Sequence, residues 1–393
     1  MRPLTPDALE FLFSAPAQAE LERAELPARS DELAFLSRLR TEHGADGAGW
    51  ILDQLQLRAR AQGRLEGAER LLFEPEALSM LSAAPVATWR ASRIQTLAPR
   101  CLDLGAGGGG DCFALARAGL EVDAVERDPV RARLLEHNLA VLGLAERVRV
   151  HAVDWSTRDW TGAPAAFVDP ARRVAGERVL SLHAMLPPLA AVLDLAREVP
   201  AVWLKVAPGF PLRELPPEAG LEFVSHAGEL KEALLTFGTA RRPGPRAVVL
   251  PAGEELWGEE PELAPGPPGA WLYEPDPAVI RAGLVRLLGA RLGAHQLDPE
   301  TAFLTGPEAP VAPFGRGWPV LRWGAFGLKP LKRWLREADV GRLEIKRRRS
   351  PVEPAALLRK LGKLAGSRAA TAILTPIEGR PGMLLCGEPG AAG

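Results

Sequence analysis

The stretch RCLDLGAGGGGDCFALAR, residues 100–117, decides the fold of this chain. It begins with a short apolar strand at 100–104, passes through a glycine-rich turn at 105–110 and continues as a helix from Asp111 to Arg117. Glycines allow a tight turn and let the backbone approach a ligand closely. Amides freed at a helix start bind an anion or a carboxylate. The stretch therefore predicts a strand–turn–helix unit with a ligand at its turn.

The same alternation of strand and helix continues towards the C-terminus. Further apolar runs follow as LEVDAVE (120–126), RVRVHAVD (147–154), AAFVD (165–169) and AVWLKVAP (201–208), with helical segments between them. This alternation is typical of a parallel sheet covered by helices on both faces. We expect ELKEALLTFGT (229–239) and RAVVLPAG (246–253) to close the sheet with an antiparallel hairpin. The predicted fold class is α/β, with a doubly wound, mostly parallel sheet.

The glycines of the turn narrow the choice of ligand. Gly105, Gly107 and Gly110 satisfy GxGxxG, a pattern that is weak on its own and also occurs in NAD sites. Asp103 lies two residues before the first glycine, where a carboxylate suits the ammonium of a methionine moiety and repels a pyrophosphate. S-adenosylmethionine is therefore favoured as the cofactor, with Asp103, Gly105, Gly107 and Gly109 as binding candidates. An NAD-dependent enzyme is the distant alternative.

Acids also stand at the ends of the next two strands. Glu126 follows the second strand, at a position that hydrogen-bonds ribose hydroxyls. Asp154 ends the third strand, where a carboxylate is able to accept from an adenine amino group, and Trp155 is able to pack on the ring. The alternative is that the acids only cap helices and the turn only connects. Three acids at consecutive strand ends favour a ligand, because ligands of such sheets bind at the carboxyl ends of the strands.

These residues resemble the class I S-adenosylmethionine-dependent methyltransferases, which have a Rossmann-like fold. The resemblance covers about 97–253 and implies S-adenosylmethionine as the cofactor. It further implies that Gly105 and Gly107 lie near the methionine part, Glu126 on the ribose and Asp154 on the adenine side.

The fourth strand ends in a second motif, FVDPARR, residues 167–173. It resembles the Asp/Asn-Pro-Pro-aromatic motif of methyltransferases that act on exocyclic amines of nucleobases or on amide nitrogens. The resemblance implies that Asp169 and Pro170 are catalytic, because in that family the first residue and the adjacent carbonyl accept hydrogen bonds from the target amine. Arg172 and Arg173 stand in place of the stacking ring. They are able to grip a phosphate or stack on a base, or they are solvated loop charges.

Three other residues near these motifs are assigned from their positions. Lys205 ends the fifth strand and is expected either to face the substrate cleft or to pair with Asp169. Cys101 and Cys112 flank the glycine turn and are expected to be small buried apolar residues, not nucleophiles.

A wider set of strings resembles one bacterial group of proteins. The strings are DLGAGGGGD, FVDPARR, VWLKVAPGF, GELKEALLTFG, LYEPDPAVIRAG and VGRLEIKRRR, with LLFEPEALSMLSAAPVATWRASRI upstream. Members of this group carry a methyltransferase domain followed by a domain similar to THUMP, an RNA-binding module. The resemblance covers roughly residues 70–390 and implies a C-terminal α+β, THUMP-like domain, but it carries no assigned substrate.

The charge distribution is independent of that resemblance. The chain has 393 residues and a net charge of −1, but 16 basic and five acidic residues lie between Arg316 and Arg380, a local charge of +11. A basic surface of this kind is what a phosphate backbone requires; the alternative, a solubilising face, usually mixes both signs. We therefore predict RNA as a partner. The candidate RNA-binding residues are Arg172, Arg173, Lys205, Lys332, Arg333, Arg336, Lys346, Arg347, Arg348 and Arg349.

Composition sets the remaining expectations. Three cysteines with no CxxC pair exclude a disulfide scaffold and a multi-cysteine zinc site, and we predict no metal. The N-terminus lacks a signal-peptide pattern and no apolar stretch is long enough to span a membrane, so we expect a cytoplasmic protein. Nothing in the sequence indicates the oligomeric state. The predicted domains are a helical region (1–95, with Thr5 as a helix cap), a methyltransferase domain (96–255), a linker and connecting segment (256–320) and the THUMP-like domain (321–393).

The leading functional hypothesis is an S-adenosylmethionine-dependent methyltransferase that acts on an amine nitrogen of a base in RNA, either tRNA or rRNA. One alternative is a methyltransferase that acts on a protein amide or a small molecule. An alternative of another class is a non-catalytic RNA-binding protein that keeps the fold as a scaffold.

Overall fold

The computed structural model describes residues 2–170, 173–174, 177–178, 180–309 and 313–390, with only the backbone described at 173–174 and 177–178. The chain forms two compact units. The first is Met1–Gly220 with Glu232–Arg242, and the second is Leu221–Lys231 with Pro243–Gly393.

The helices and strands are bounded as follows. The helices are α1 (Pro6–Phe13), α2 (Ala15–Arg23), α3 (Glu32–Ala61), α4 (Pro75–Met80), α5 (Ala84–Gln95), α6 (Gly110–Arg117), α7 (Pro129–Val141), α8 (Leu189–Glu198), α9 (Pro277–Ala282), α10 (Val285–Arg291), α11 (Leu328–Glu337) and α12 (Pro354–Leu361). The strands are β1 (Arg100–Leu104), β2 (Glu121–Val125), β3 (Val148–His151), β4 (Ala165–Val168), β5 (Arg173–Val174), β6 (Glu177–Arg178), β7 (Ala201–Val206), β8 (Gly220–His226), β9 (Glu229–Gly238), β10 (Pro245–Leu250), β11 (Glu254–Trp257), β12 (Trp271–Pro275), β13 (His295–Gln296), β14 (Leu304–Gly306), β15 (Gly315–Ala325), β16 (Val340–Arg347), β17 (Arg368–Ile377) and β18 (Arg380–Cys386).

The N-terminal part of the first unit is helical, as the sequence predicts. Thr5 caps α1, because its side chain accepts a hydrogen bond from the Ala8 amide at 3.2 Å. Leucines from α1, α2 and α3 form one core cluster that also contains Leu134 of α7. The N-terminal helices therefore pack against a helix of the sheet layer.

The first unit is organised around a mostly parallel sheet. Its strands run in the order β3-β2-β1-β4-β7-β9, and β9 is antiparallel to β7. The chain order reverses at β1, which pairs in parallel with β2 on one side and with β4 on the other. Loops that leave β1 and β4 therefore diverge at the carboxyl edge, where ligands of such sheets bind.

The second unit contains a seven-stranded sheet in the order β13-β14-β12-β15-β18-β17-β16. Helices α11 and α12 cover one face, where Leu331, Trp334 and Leu357 pack on apolar residues of β17 and β18. The opposite face carries a second cluster that includes Leu272 and Trp318. Since α11 and α12 lie on one face of this mostly antiparallel sheet, the architecture is α+β, as expected for the C-terminal domain.

Two features differ from the sequence expectations. β10 pairs in parallel with β8 and antiparallel with β11, so it does not form the predicted hairpin with β9. Residues 256–320, expected to be a linker, contain β12, β13, β14 and the helices α9 and α10. Their strands are short and lie among glycines, prolines and acids, which conceals them in the sequence. The predicted domain boundaries remain proposals, and the compact units divide the chain elsewhere.

No helix in the described part of the chain is long and apolar enough to cross a membrane.

Candidate functional site

A cavity of about 260 Å³ opens at the carboxyl edge of the first unit's sheet. Its walls come from the glycine turn after β1, the ends of β2, β3 and β4, and the segment that joins α4 to α5. The lining residues are Ala77, Met80, Leu81, Ser82, Leu104, Gly105, Ala106, Gly107, Gly108, Gly110, Asp111, Val125, Glu126, Arg127, Arg131, Val153, Asp154, Trp155, Ser156, Asp169, Pro170, Leu186, Pro187 and Pro188. The site thus combines acids with apolar walls.

The glycine turn needs glycine at two positions for different reasons. Gly105 has φ +93°, and a Cβ there would lie 2.6 Å from the carbonyl oxygen of Asp169. Gly109 has φ +83° and is the N-cap of α6, where a Cβ would meet the side chains of Leu135 and Phe113. Gly105 therefore lets the turn approach the fourth strand, whereas Gly109 is not among the described residues that line the cavity.

Glu126 is buried and fixed at the end of β2. Its Oε2 accepts from the Gly107 amide at 2.9 Å, and its Oε1 accepts from the Asp128 amide at 2.8 Å. Each carboxylate oxygen has a further lone pair, so this side chain is held rigidly while it is still able to accept from a ligand hydroxyl.

Asp154 and Trp155 follow β3 at another wall of the cavity. Asp154 Oδ1 accepts from the amide and the hydroxyl of Ser156 at 2.9 Å and 2.7 Å. These hydrogen bonds lower the pKa of Asp154. Trp155 is almost fully buried, and its carbonyl accepts from Trp160 Nε1. Asp154 therefore caps a local turn and also lines the cavity.

Asp103 lies near the end of β1, just before the glycine turn. It is fully buried in β1, and neither carboxylate oxygen is hydrogen-bonded to a residue that the structure describes. Burial, followed by repulsion from Asp111 and Asp169, raises the pKa of Asp103 well above its ordinary value. Asp103 is not among the described residues that line the cavity. A direct contact with the cofactor's ammonium therefore remains a proposal.

Asp169, at the end of β4, lines the cavity beside Pro170. Its Oδ2 accepts a hydrogen bond from Lys205 Nζ at 2.7 Å, which realises the pairing that the sequence left open. Lys205 is buried and also donates to Ser82 Oγ at 2.6 Å. No described residue is hydrogen-bonded to Asp169 Oδ1, so that oxygen is available to a ligand in the cavity.

A buried arginine extends this network. Arg90 of α5 forms ion pairs with Asp111 and Glu232, and it donates to Ser82 Oγ at 3.2 Å. Ser82 in turn donates to Asp111 at 2.7 Å. Burial alone would raise the pKa of Asp111, but the charges of Arg90 and Lys205 and hydrogen bonds from Arg90 and Ser82 lower it to about 2. Asp111 is therefore a fixed anion at the cavity wall.

The arginines of the strand-four motif cannot be placed in the same way. Arg172 and the side chain of Arg173 lie outside the described residues. Cys101 and Cys112 are buried free thiols, as predicted, and burial raises the pKa of both.

In the second unit, the basic run 346–349 is paired with acids. Lys346 and Arg348 both contact Glu274, at 2.5 Å and 2.7 Å. Arg347 contacts Glu353 at 2.7 Å and Arg349 contacts Glu300 at 2.5 Å, as two further pairs of the same kind. Of the three bases predicted on α11, Arg333 lies 3.8 Å from Glu337, whereas Lys332 and Arg336 form no ion pair with a described residue. The two sets of predicted RNA-binding residues therefore differ in how far their charge is neutralised.

The fold and the site together define a class. A sheet that reverses at β1, a glycine turn after β1, a carboxylate after β2 and an Asp-Pro pair after β4 are the features of a Rossmann-like methyltransferase. The donor set fits S-adenosylmethionine, because buried Glu126 is aimed at the glycine turn and apolar side chains form the remaining walls.

Comparison with known proteins identifies the family. The chain is 38% identical over 346 residues to an uncharacterized S-adenosylmethionine-dependent methyltransferase of Mycobacterium tuberculosis, which covers 84% of this chain and 94% of the relative. The chain belongs to this family of methyltransferases and uses S-adenosylmethionine. Its fold is similar to a crystal structure from Porphyromonas gingivalis described as a methyltransferase, with a TM-score of 0.73 and 21% identity, covering 92% and 98% of the two chains.

Two sequence families match parts of the chain. Residues 315–388 match the family described as THUMP domain-like, and residues 98–189 match the family described as RNA cap guanine-N2 methyltransferase. The predicted THUMP-like domain is therefore confirmed.

Sequence reasoning missed the contribution of the segment before β1. Ser82 and Arg90 connect the α4–α5 segment to Lys205 and Asp111, and Leu81 lines the cavity. A signal was present, because Arg90 occupies the apolar stripe of α5 formed by Val86, Ala87, Ala91 and Ile94. A cation at a buried helix position requires anionic partners.

Proposed function

We propose that this methyltransferase transfers the methyl group to an amine nitrogen of a base in RNA, with tRNA or rRNA as the substrate. The observation that carries the proposal is the placement of Asp169. Its carboxylate stands at the cavity that would hold the cofactor, with one oxygen fixed by Lys205 and the other facing no described partner. A target amine that receives a methyl group needs a hydrogen-bond acceptor of this kind to orient it.

In this proposal each residue has a defined part. Glu126 and Asp154 would hold the ribose and the adenine side of the cofactor, and Trp155 would pack on the adenine ring. Bound S-adenosylmethionine supplies a methyl group on a positively charged sulfur, so no strong base is needed to activate the acceptor. Asp169 Oδ1 accepts a hydrogen bond from the target amine and orients its lone pair. Positioning of this kind supplies a large part of the rate of a displacement.

Asp169 also has a part after the transfer. Transfer of the methyl group would leave the nitrogen with a positive charge and with the protons that it already held. A nearby carboxylate would stabilise that charge and accept one of these protons, which gives the neutral methylated amine. Pro170 restricts the backbone next to Asp169, because the proline ring fixes φ.

RNA as the substrate class is supported by one sequence match in each unit. A family of RNA cap guanine-N2 methyltransferases, whose name specifies an exocyclic amine, matches residues 98–189. The THUMP-like match at 315–388 coincides with the basic part of the chain. Both observations favour RNA over a protein amide or a small molecule.

The replacement of Asp169 tests the proposal. Asp169→Ala should reduce methyl transfer to RNA by about a hundredfold or more, because the acceptor amine is no longer aligned. Binding of S-adenosylmethionine, measured by calorimetry, should stay close to wild type. Asp169→Asn keeps one acceptor oxygen and is the matched control, expected to retain part of the activity. Full activity of the alanine variant would refute the role of Asp169.

The substrate is identified by nucleoside mass spectrometry of RNA from a strain that lacks the gene. We expect one methylated base to be absent and to reappear when the purified chain and S-adenosylmethionine are added. A complete set of methylated nucleosides, together with methyl label in protein, would favour the amide alternative.

A further inference from the structure

The two helices of the THUMP-like domain form a common layer, which we call the helix layer (α11, α12 and the following Lys363). Leu331 and Trp334 of α11 and Leu357 and Leu361 of α12 belong to one core cluster on one face of the sheet. The opposite sides of both helices are exposed. The exposed sides of α11 and α12 therefore lie on the same side of the domain and form one outer surface of the helix layer.

This outer surface carries an excess of positive charge. α11 has four basic residues and one acid, and α12 has two basic residues and no acid. The exposed basic residues of the helix layer that form no ion pair with a described residue are Lys329, Lys332, Arg336, Arg359, Lys360 and Lys363. Lys329, Lys332 and Arg336 follow the i, i+3, i+7 spacing, so they lie along one side of α11.

The run 346–349 offers less available charge. Each of its four cations is held by Glu274, Glu300 or Glu353. An ion-paired arginine must give up its carboxylate partner before it binds a phosphate. The loss of the first ion pair offsets most of the electrostatic free energy gained from the second. An unpaired surface lysine or arginine releases the counterions of the phosphate without that exchange.

We propose that the outer surface of the helix layer, not the run 346–349, is the main surface on which this methyltransferase binds the RNA phosphate backbone. The inference rests on the proposed function for the identity of the partner. Lys332 and Arg336 are its central contacts, and Lys329 and the bases of α12 extend it. Such contacts set affinity and do not read sequence.

Two double variants of equal charge test this surface. Lys332→Gln with Arg336→Gln removes two cations from the helix layer, and Arg348→Gln with Arg349→Gln removes two from the paired run. Fluorescein-labelled bulk tRNA is bound to each full-length protein between about 50 and 200 mM KCl, where phosphate contacts change affinity steeply. The helix-layer variant should lower the slope of log affinity against log salt by about two. The paired-run variant should leave the slope close to wild type.

The outcomes separate this inference from the proposed function. Equal effects of the two variants, or a larger effect of the paired-run variant, would overturn the helix-layer surface while wild-type methyl transfer to RNA continues. If the wild-type protein binds no RNA and instead binds anionic vesicles through the same residues, RNA is not the partner of this surface. The proposed function then fails together with this inference. All four positions are exposed, so thermal melting should confirm that both variants fold.

Discussion

At the scale of single residues, the buried acids of the first unit differ from one another in protonation state because their surroundings differ. Asp111 is surrounded by Arg90, Ser82 and Lys205, which keep it anionic. Asp103, in the neighbouring strand, has no described hydrogen-bond partner and a pKa raised by burial. A carboxyl group whose charge is not compensated becomes neutral when it is buried. Position relative to cations, and not residue type, therefore decides which acid is available to a cationic ligand.

The raised pKa of Asp103 predicts how stability depends on pH. Because the pKa is higher in the folded chain than in the unfolded chain, the contribution of Asp103 is fully present below its unfolded value and is lost as pH rises through its folded value. Asp103→Asn does not titrate, so its stability relative to wild type should increase as pH rises from about 4 towards 8. Urea unfolding at several pH values measures the difference.

The same variant examines the proposed contact with the cofactor. If Asp103 acts only as a buried group, calorimetry should show S-adenosylmethionine affinity near that of wild type. A pH-independent stability difference together with a large loss of cofactor affinity would support a direct contact of the carboxylate with the ammonium.

At the scale of elements, strand β7 positions the end of strand β4. Lys205 reaches from β7 to Asp169, and Ser82, in the segment between α4 and α5, binds the same ammonium. Asp169 is therefore held by Lys205, and the lysine is held in turn by Ser82. Such support keeps an acceptor aligned, because a small displacement of a reacting group costs much of the rate.

Lys205→Met should lower kcat about tenfold to a hundredfold while the affinity for S-adenosylmethionine changes little. Lys205→Arg, which keeps the charge, should restore part of kcat. Addition of Lys205→Met to Asp169→Ala should cause no further loss, because the lysine acts through that carboxylate. An additive loss in the double variant would show that Lys205 has another role.

Removal of the lysine leaves the charge of the buried acids less compensated, which costs about 3–5 kcal/mol of stability in known cases. Ser82→Ala keeps all charges and is therefore the second test. This variant should give a smaller fall in kcat than Lys205→Met.

The sequence predicts elements well where one local pattern determines them. The apolar runs at 100–104, 120–126 and 165–169 locate β1, β2 and β4 within a residue or two, and they predict which loops meet at the cavity. Pairings between distant positions are not encoded locally, so the neighbours of Asp103 and the partners of Arg90 could not be predicted. Strand β8, the parallel partner of β10, was not predicted.

At the scale of the whole molecule, the net charge of −1 is the sum of unlike parts. The basic residues concentrate after Arg316, in the stretch that matches the THUMP-like family, and the rest of the chain is acidic. A total charge near zero therefore does not argue against an RNA partner. The structure adds that part of the basic stretch is neutralised internally, so the density of unpaired cations indicates a binding surface better than the count of lysines and arginines.

Cofactor choice is also a property of the folded whole, because a ligand that binds only the native chain raises its stability. S-adenosylmethionine at about a hundred times its dissociation constant should add about 2.7 kcal/mol to the free energy of unfolding. NAD should add nothing measurable, because Asp111 is an anion that lines the cavity beside the glycine turn and opposes the pyrophosphate of NAD. A thermal melt of the full chain with each ligand measures the contrast.

Glu126→Gln keeps one of the two acceptor oxygens that anchor the Gly107 and Asp128 amides. S-adenosylmethionine should therefore raise the melting temperature of this variant less than that of the wild type. An equal rise with NAD and with S-adenosylmethionine would mean that the glycine turn does not select its ligand by charge.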